Sequence, residues 1–141
     1  MPAGVNPTQC WGPWLRGRVA LLRRTTRCRH FPASLEVVAV GTAAGAPAAA
    51  TWSADDTRLD HALRVEVLVR LLTGRAHPLA VVWVRPGHHD PGDGDFAWLA
   101  ASRVAADVAL ASVPAVVVVS RWGWTELVTG AQRSWVRLRV G

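Results

Sequence analysis

The chain contains no lysine, no isoleucine and no tyrosine, with one asparagine (Asn6) and one methionine (Met1) among its 141 residues. Ala, Val, Arg, Gly and Trp abound instead, which is the signature of GC-rich codons. An all-arginine basic set in such a composition carries no argument for phosphate recognition, although guanidinium suits that role. Cysteine is scarce: Cys10 and Cys28 match neither a disulfide-dense scaffold nor a paired metal spacing. Cys28 and His30 offer two zinc ligands where a closed structural site needs four, so no structural zinc is expected. Long apolar runs are also missing. Residues 37–54 are uncharged, but they are rich in Ala and Gly and broken by Pro47, so no membrane span and no membrane partner are expected.

What charge there is lies unevenly. The net charge is +6, and the segment Met1 to Ala33 holds six Arg and no acid, whereas Ser34 to Gly141 balances ten Arg against ten acids. Such asymmetry fits a basic arm that touches nucleic acid or an anionic surface, and equally a start codon placed too far upstream. Arginines precede a short apolar run, and Ala46-Pro47-Ala48 resembles a signal cleavage site. The charged region is long for a signal, however, and Glu36 interrupts the apolar stretch. A cytoplasmic protein is the expectation, with export as the minority alternative. The length suits a single domain able to bury a core without staples.

Periodicity divides the chain into a basic, low-complexity arm and linker over 1–50 and a compact α/β domain over 51–141. In the arm Trp11, Trp14, Val19, Leu21 and Leu22 are scattered among Arg, Pro and Gly, and irregular structure is expected. A strand is expected at 35–40, followed by the linker-like GTAAGAPAAA. Ser53 and Asp56 have the form of a capping box, and Leu59, Leu63, Val67 and Leu71 make a stripe that predicts a helix ending at Gly74. Leu79 to Val84 and Ala115 to Val119 are unbroken apolar runs, as in strands covered on both faces. Between them Phe96 to Ser112 reads as a helix so apolar that a homo-oligomer through residues 95–112 is one expectation. Arg133 to Val140 alternates and suits an edge strand, with Arg133, Trp135, Arg137 and Arg139 on one face. The fold class is α/β: a small layered sheet of about four strands and two helices, behind a basic irregular arm.

The loop RPGHHDPGDGD, from Arg85 to Asp95, joins a central strand to a helix, where open α/β sheets bind ligands. His88, His89, Asp90, Asp93 and Asp95 have the chemistry to hold a divalent ion and activate water. The same composition also makes an ordinary turn in which Asp93 or Asp95 caps the following helix, and this second reading is favoured. The layout of buried strand, His-bearing loop, helix and strand resembles the JAMM-type metal hydrolases, whose loop carries His, one spacer, His, and an Asp about ten residues on. Here His88 and His89 have no spacer, and Trp98 and Leu99 stand ten residues beyond them. The resemblance therefore implies a degenerate metal site. Restriction-type nucleases fit less well, since their acid and lysine pair has no counterpart in a chain without lysine.

No P-loop or dinucleotide fingerprint occurs, so no cofactor is expected, a divalent metal entering only with the hydrolase alternative. Ser102, Ser112 and Ser120 sit in no nucleophile-elbow context, and no catalytic residue is assigned. A second constellation is Arg121, Trp122 and Trp124, which a terminal hairpin would bring beside Arg133, Trp135, Arg137 and Arg139. Aromatic faces stack bases while arginines follow phosphates, as in single-strand binders. Ordinary cross-strand Trp–Arg packing uses the same residues. The strings WVRPG, DFAWLAA, VVVVSRWGW and WVRLR resemble uncharacterised small α/β proteins of high-GC bacteria, a resemblance that covers about Leu59 to Val140 and implies no activity. The leading expectation is a non-enzymatic binding or interaction domain that contacts nucleic acid, or a protein partner, through the Arg/Trp face. The alternative is a metal-assisted hydrolase using the 85–95 loop.

Overall fold

The computed structural model describes residues 7–26, 31–43, 45–53, 59–75 and 78–135. The long apolar runs become the centre of a six-stranded mixed sheet, because strands without polar alternation need cover on both faces. In chain order its strands are β1 (Ser34–Ala39), β2 (Ala50–Ser53), β3 (Leu79–Val84), β4 (Ala115–Ser120), β5 (Gly123–Glu126) and β6 (Gln132–Ser134). They lie side by side as β2-β1-β3-β4-β5-β6. Among the described residues only β3 and β4 run parallel, joined by the crossover helix α3 (Asp93–Ala109); the other neighbours are antiparallel. β3 and β4 are central and β6 is an edge, as their sequence patterns predict.

Among the described residues three helices cover this sheet, where two were expected. α2 (His61–Leu72) and α3 pack together on one face, over Leu35, Val37, Leu79, Val81 and Val116. On the other face α1 (Pro7–Thr25) lies across β4 and β5 and buries Trp14, Leu15, Val19 and Leu22 against Val38, Val82, Val117 and Val119. The segment expected to be irregular is thus helical and closes a three-layer sandwich. Its stripe Leu15, Val19, Leu22 has helical spacing, but Gly12, Pro13, Gly17 and four arginines obscure it. Polar contacts fix its place. Arg18 grips Glu36 of β1 through Nε–Oε1 at 2.9 Å and Nη2–Oε1 at 2.7 Å, and the Trp14 indole N–H donates to the Ala46 carbonyl at 2.9 Å.

Two strands also exceed the expected four. β2 starts at Ala50, the last residue of the stretch expected to be a linker, and β5 is a four-residue strand between β4 and β6. Both are too short to show a period. α2 is capped by Asp60, whose Oδ1 accepts from the Leu63 N–H at 2.8 Å. The Ser53–Asp56 capping box is not this helix's start, and Asp56 lies outside the described residues. The core side of α2 is Leu68 and Leu72, while Leu63 is exposed. In α3 the outward residues are Phe96, Val104 and Val108, whereas Trp98, Leu99, Ala101 and Ala105 are buried. β6 is described for Gln132–Ser134 only; Val136 to Val140, and with them Arg137 and Arg139, lie outside the described residues, as do Cys28 and His30. Among the described residues no helix is long and apolar enough to cross a membrane.

Candidate functional site

The loop from Arg85 to Asp95 is built around its own first residue. A guanidinium has five N–H donors, and in Arg85 all five are used. Nε donates to Asp95 Oδ1 at 2.8 Å and Nη2 to Asp95 Oδ2 at 2.7 Å. Nη1 donates to the carbonyls of Pro86 and His88 at 3.0 and 2.6 Å, and Nη2 also to that of Asp90 at 3.0 Å. Asp95 is buried and additionally accepts from the Gly92 N–H at 2.9 Å, closing the first turn of α3. The carboxylate best placed to hold a cation therefore already holds one, an arginine of the same loop.

That arrangement bears on the metal ligands expected from sequence. His88, His89 and Asp90 do come together, with donor atoms all within 4.8 Å of one another, and His88 Nδ1 lies 3.1 Å from Asp90 Oδ2. Asp95 is committed to Arg85, Asp93 is not among the grouped donors, and the two imidazoles stack with centroids 4.3 Å apart. Both nitrogens of His89 are hydrogen-bonded to hydroxyls of the β5–β6 hairpin, while the side chains of His88 and Asp90 are exposed.

His89 is the residue whose surroundings the sequence reading missed. Its ring is buried beneath the β5–β6 hairpin, with Nδ1 2.8 Å from Thr125 Oγ1 and Nε2 hydrogen-bonded to Ser134 Oγ. Thr125 donates its only hydroxyl hydrogen to the His89 carbonyl at 2.9 Å, so toward the ring it accepts. Nδ1 therefore carries the ring proton and Nε2 presents its lone pair to Ser134. Burial lowers the His89 pKa below the ordinary 6.5, followed by repulsion from His88 and Arg85, with Asp90 acting in the opposite direction. The sequence signal is a polar Thr125 and Ser134 on one hairpin face, which only the β5–β6 register brings together.

The hairpin's other face carries the Arg/Trp constellation. Trp124 and Arg133 are cross-strand partners, and the Arg133 guanidinium lies over the Trp135 ring at 5.6 Å. α1 completes the group. Arg23 donates to the carbonyls of Arg121 and Trp135 and sits over the half-exposed Trp122 ring at 5.8 Å. Burial and the nearby Arg121 lower the Arg23 pKa from its usual value. An open groove of about 460 Å³ runs between helix and hairpin, lined by Gly12, Pro13, Arg16, Trp124, Arg133 and Trp135. Trp124 is nearly buried and forms part of the core, so it is a floor to this groove and not a free stacking face. Of the seven predicted binding residues, five are gathered here and Arg137 and Arg139 lie outside the described residues.

No protein-family model, curated protein or solved structure matches the chain. Opposite the groove, at the end of β3, a second crevice of about 580 Å³ is lined by Arg64, Trp83 and Trp98 together with the Arg85 loop. Arg64 stacks over Trp98 at 5.8 Å, and its Nε is buried without a hydrogen-bond partner among the described residues.

Proposed function

We propose that this protein is a binding module that contacts single-stranded nucleic acid along the groove between α1 and the β5–β6 hairpin. The supporting observation is the meeting of Arg16 from α1 with Arg133, Trp135 and the Trp124 floor from the hairpin in one open groove. The acid beneath α1, Glu36, is neutralised by Arg18, and Glu126 is buried among amide donors from Val116, Val128 and Thr129. The face is left positive. Arginines along such a groove follow the phosphates and release counterions, while exposed Trp rings stack bases at about 1–3 kcal/mol each. Arg137 and Arg139, two and four residues beyond Trp135, extend the same basic alternation in sequence. The metal-hydrolase alternative has the weaker support, because Arg85 already supplies the cation of its loop.

Fluorescence anisotropy with a labelled poly-dT oligonucleotide tests this. Binding should weaken steeply between about 50 and about 200 mM salt, and Arg16→Ala or Arg133→Ala should each reduce the salt slope by about one. Trp135→Ala should weaken binding with the slope unchanged. No binding at the lower salt, or slopes indifferent to both arginines, would refute the proposal.

A further inference from the structure

On the hairpin face opposite the groove, three side chains stand in a chemical series. Ser134 is exposed, His89 behind it is buried, and Thr125 lies on the far side of the imidazole. We propose that Ser134 Oγ is a nucleophile for carboxylic esters, with His89 Nε2 as its general base and Thr125 as the residue that holds the imidazole in the competent tautomer. This constellation is separate from the Arg/Trp groove and does not depend on it.

Three observations carry the inference. First, the hydrogen-bond network forces the proton onto Nδ1, which leaves Nε2 as the acceptor facing the serine. A nucleophile bonded to a base that is itself oriented by a third group is the arrangement that activates a hydroxyl. Second, the strand register aims the serine's backbone outward. Glu126 N–H bonds the Ala131 carbonyl and Trp135 N–H the Trp122 carbonyl, so Glu126–Ala131 and Trp122–Trp135 are hydrogen-bonded pairs. The intervening pair Gly123–Ser134 is then of the other kind, and the Ser134 N–H points away from β5 toward the outer side of β6. A donor on the nucleophile's own backbone is placed to meet an oxyanion developing on carbon bonded to its Oγ. Third, Gly123 opposite Ser134 has no room for a side chain, since a Cβ there would lie 2.0 Å from the Arg133 carbonyl oxygen. The strands are pressed together at this pair, which holds Ser134 over the imidazole.

The step is ordinary acyl transfer. Ser134 Oγ bonds to the ester carbonyl carbon as its proton passes to His89 Nε2. The tetrahedral oxyanion collapses, the C–O bond to the alcohol breaks, and the leaving oxygen takes the proton from His89. Water, deprotonated by the same nitrogen, then cleaves the acyl-serine to carboxylic acid and free hydroxyl. Thr125 is neutral, so the imidazolium is stabilised less than beside a carboxylate, and modest rates are expected. The charged groups that act on His89 are His88, Asp90 and Arg85 of its own loop, while β5 and β6 present neutral Thr125 and Ser134.

A fluorophosphonate probe on the full-length protein, read by intact mass and peptide mapping, tests the proposal. In that reaction Oγ bonds to phosphorus, fluoride leaves and the proton goes through His89 to solvent. The expected result is one adduct at Ser134, lost in Ser134→Ala. Because His89→Ala removes a buried ring and endangers folding, the base is tested in the unaltered protein by the pH profile of labelling. The rate should rise through a midpoint below about 6.5 and then level. No adduct, an adduct that survives Ser134→Ala, or a rate still proportional to hydroxide at high pH would each overturn the proposal.

Discussion

Arg85 and Asp95, ten residues apart, face each other through two charge-assisted hydrogen bonds of 2.8 and 2.7 Å, with the carboxylate almost wholly buried. The pair joins the end of β3 to the first turn of α3 and ties the loop between them to its own first residue. Removing either partner leaves a buried charge uncompensated. Asp95→Ala should cost about 3–5 kcal/mol of folding free energy in urea titration. Arg85→Lys should also destabilise, because an ammonium has three donors where five acceptors wait. A variant at either position with unchanged stability would contradict this account of the loop.

The docking of α1 makes a second prediction. Leu15 is fully buried between helix and sheet, and Leu15→Ala should cost about 2–5 kcal/mol. Hydrogen exchange locates the effect: amides of α1 should lose protection together, while α2 and α3 stay protected. Arg18→Ala should act through Glu36, which would be left buried and unpaired.

Acid should destabilise the hairpin through His89. Its folded pKa is depressed below its unfolded value of about 6.5, so between the two the unfolded chain binds the extra proton. The contribution of His89 to stability is complete above about 6.5 and is lost as pH falls through the folded pKa. Protonated Nε2 can no longer accept from Ser134. Thermal melts should show a stability decline on acidification below about pH 6.5 that is smaller in His89→Gln, if that variant is compared with its own value at neutral pH.

Gly123 tests the tight register of β5 and β6. Gly123→Ala places a methyl 2.0 Å from the Arg133 carbonyl oxygen, and its φ of +155° already strains a side chain. Separating the strands should cost at least about 1–3 kcal/mol and weaken the His89–Ser134 bond. The histidine Nε2 chemical shift by NMR should move toward that of a solvated imidazole.

The sequence by itself determined the centre of this protein. Unbroken apolar runs at 79–84 and 115–119 have no solvent-facing side, so they had to be central strands, and the apolar helix between them had to be their crossover. The same logic contained the third helix. Strands buried on both faces demand two covering layers, and the readily visible helices supply one, which left α1 to close the other. Its stripe is hard to see in the sequence because the local pattern is diluted by Gly, Pro and Arg, and because burial against the sheet, not propensity, makes it helical.

What only the tertiary structure decided were the partners of polar residues. Asp95 and His89 carry the residue types of metal ligands, yet one is taken by Arg85 and the other by Thr125 and Ser134, residues 36 and 45 positions away. A side chain's chemistry is written in its type, but its role depends on which groups reach it in space. Two short strands at one end of the sheet set that geometry here. β5 and β6 are too brief to show a period, and only the pairing of β5 with β4 and of β6 with β5 placed an Arg/Trp face on one side of the hairpin and a serine over an imidazole on the other.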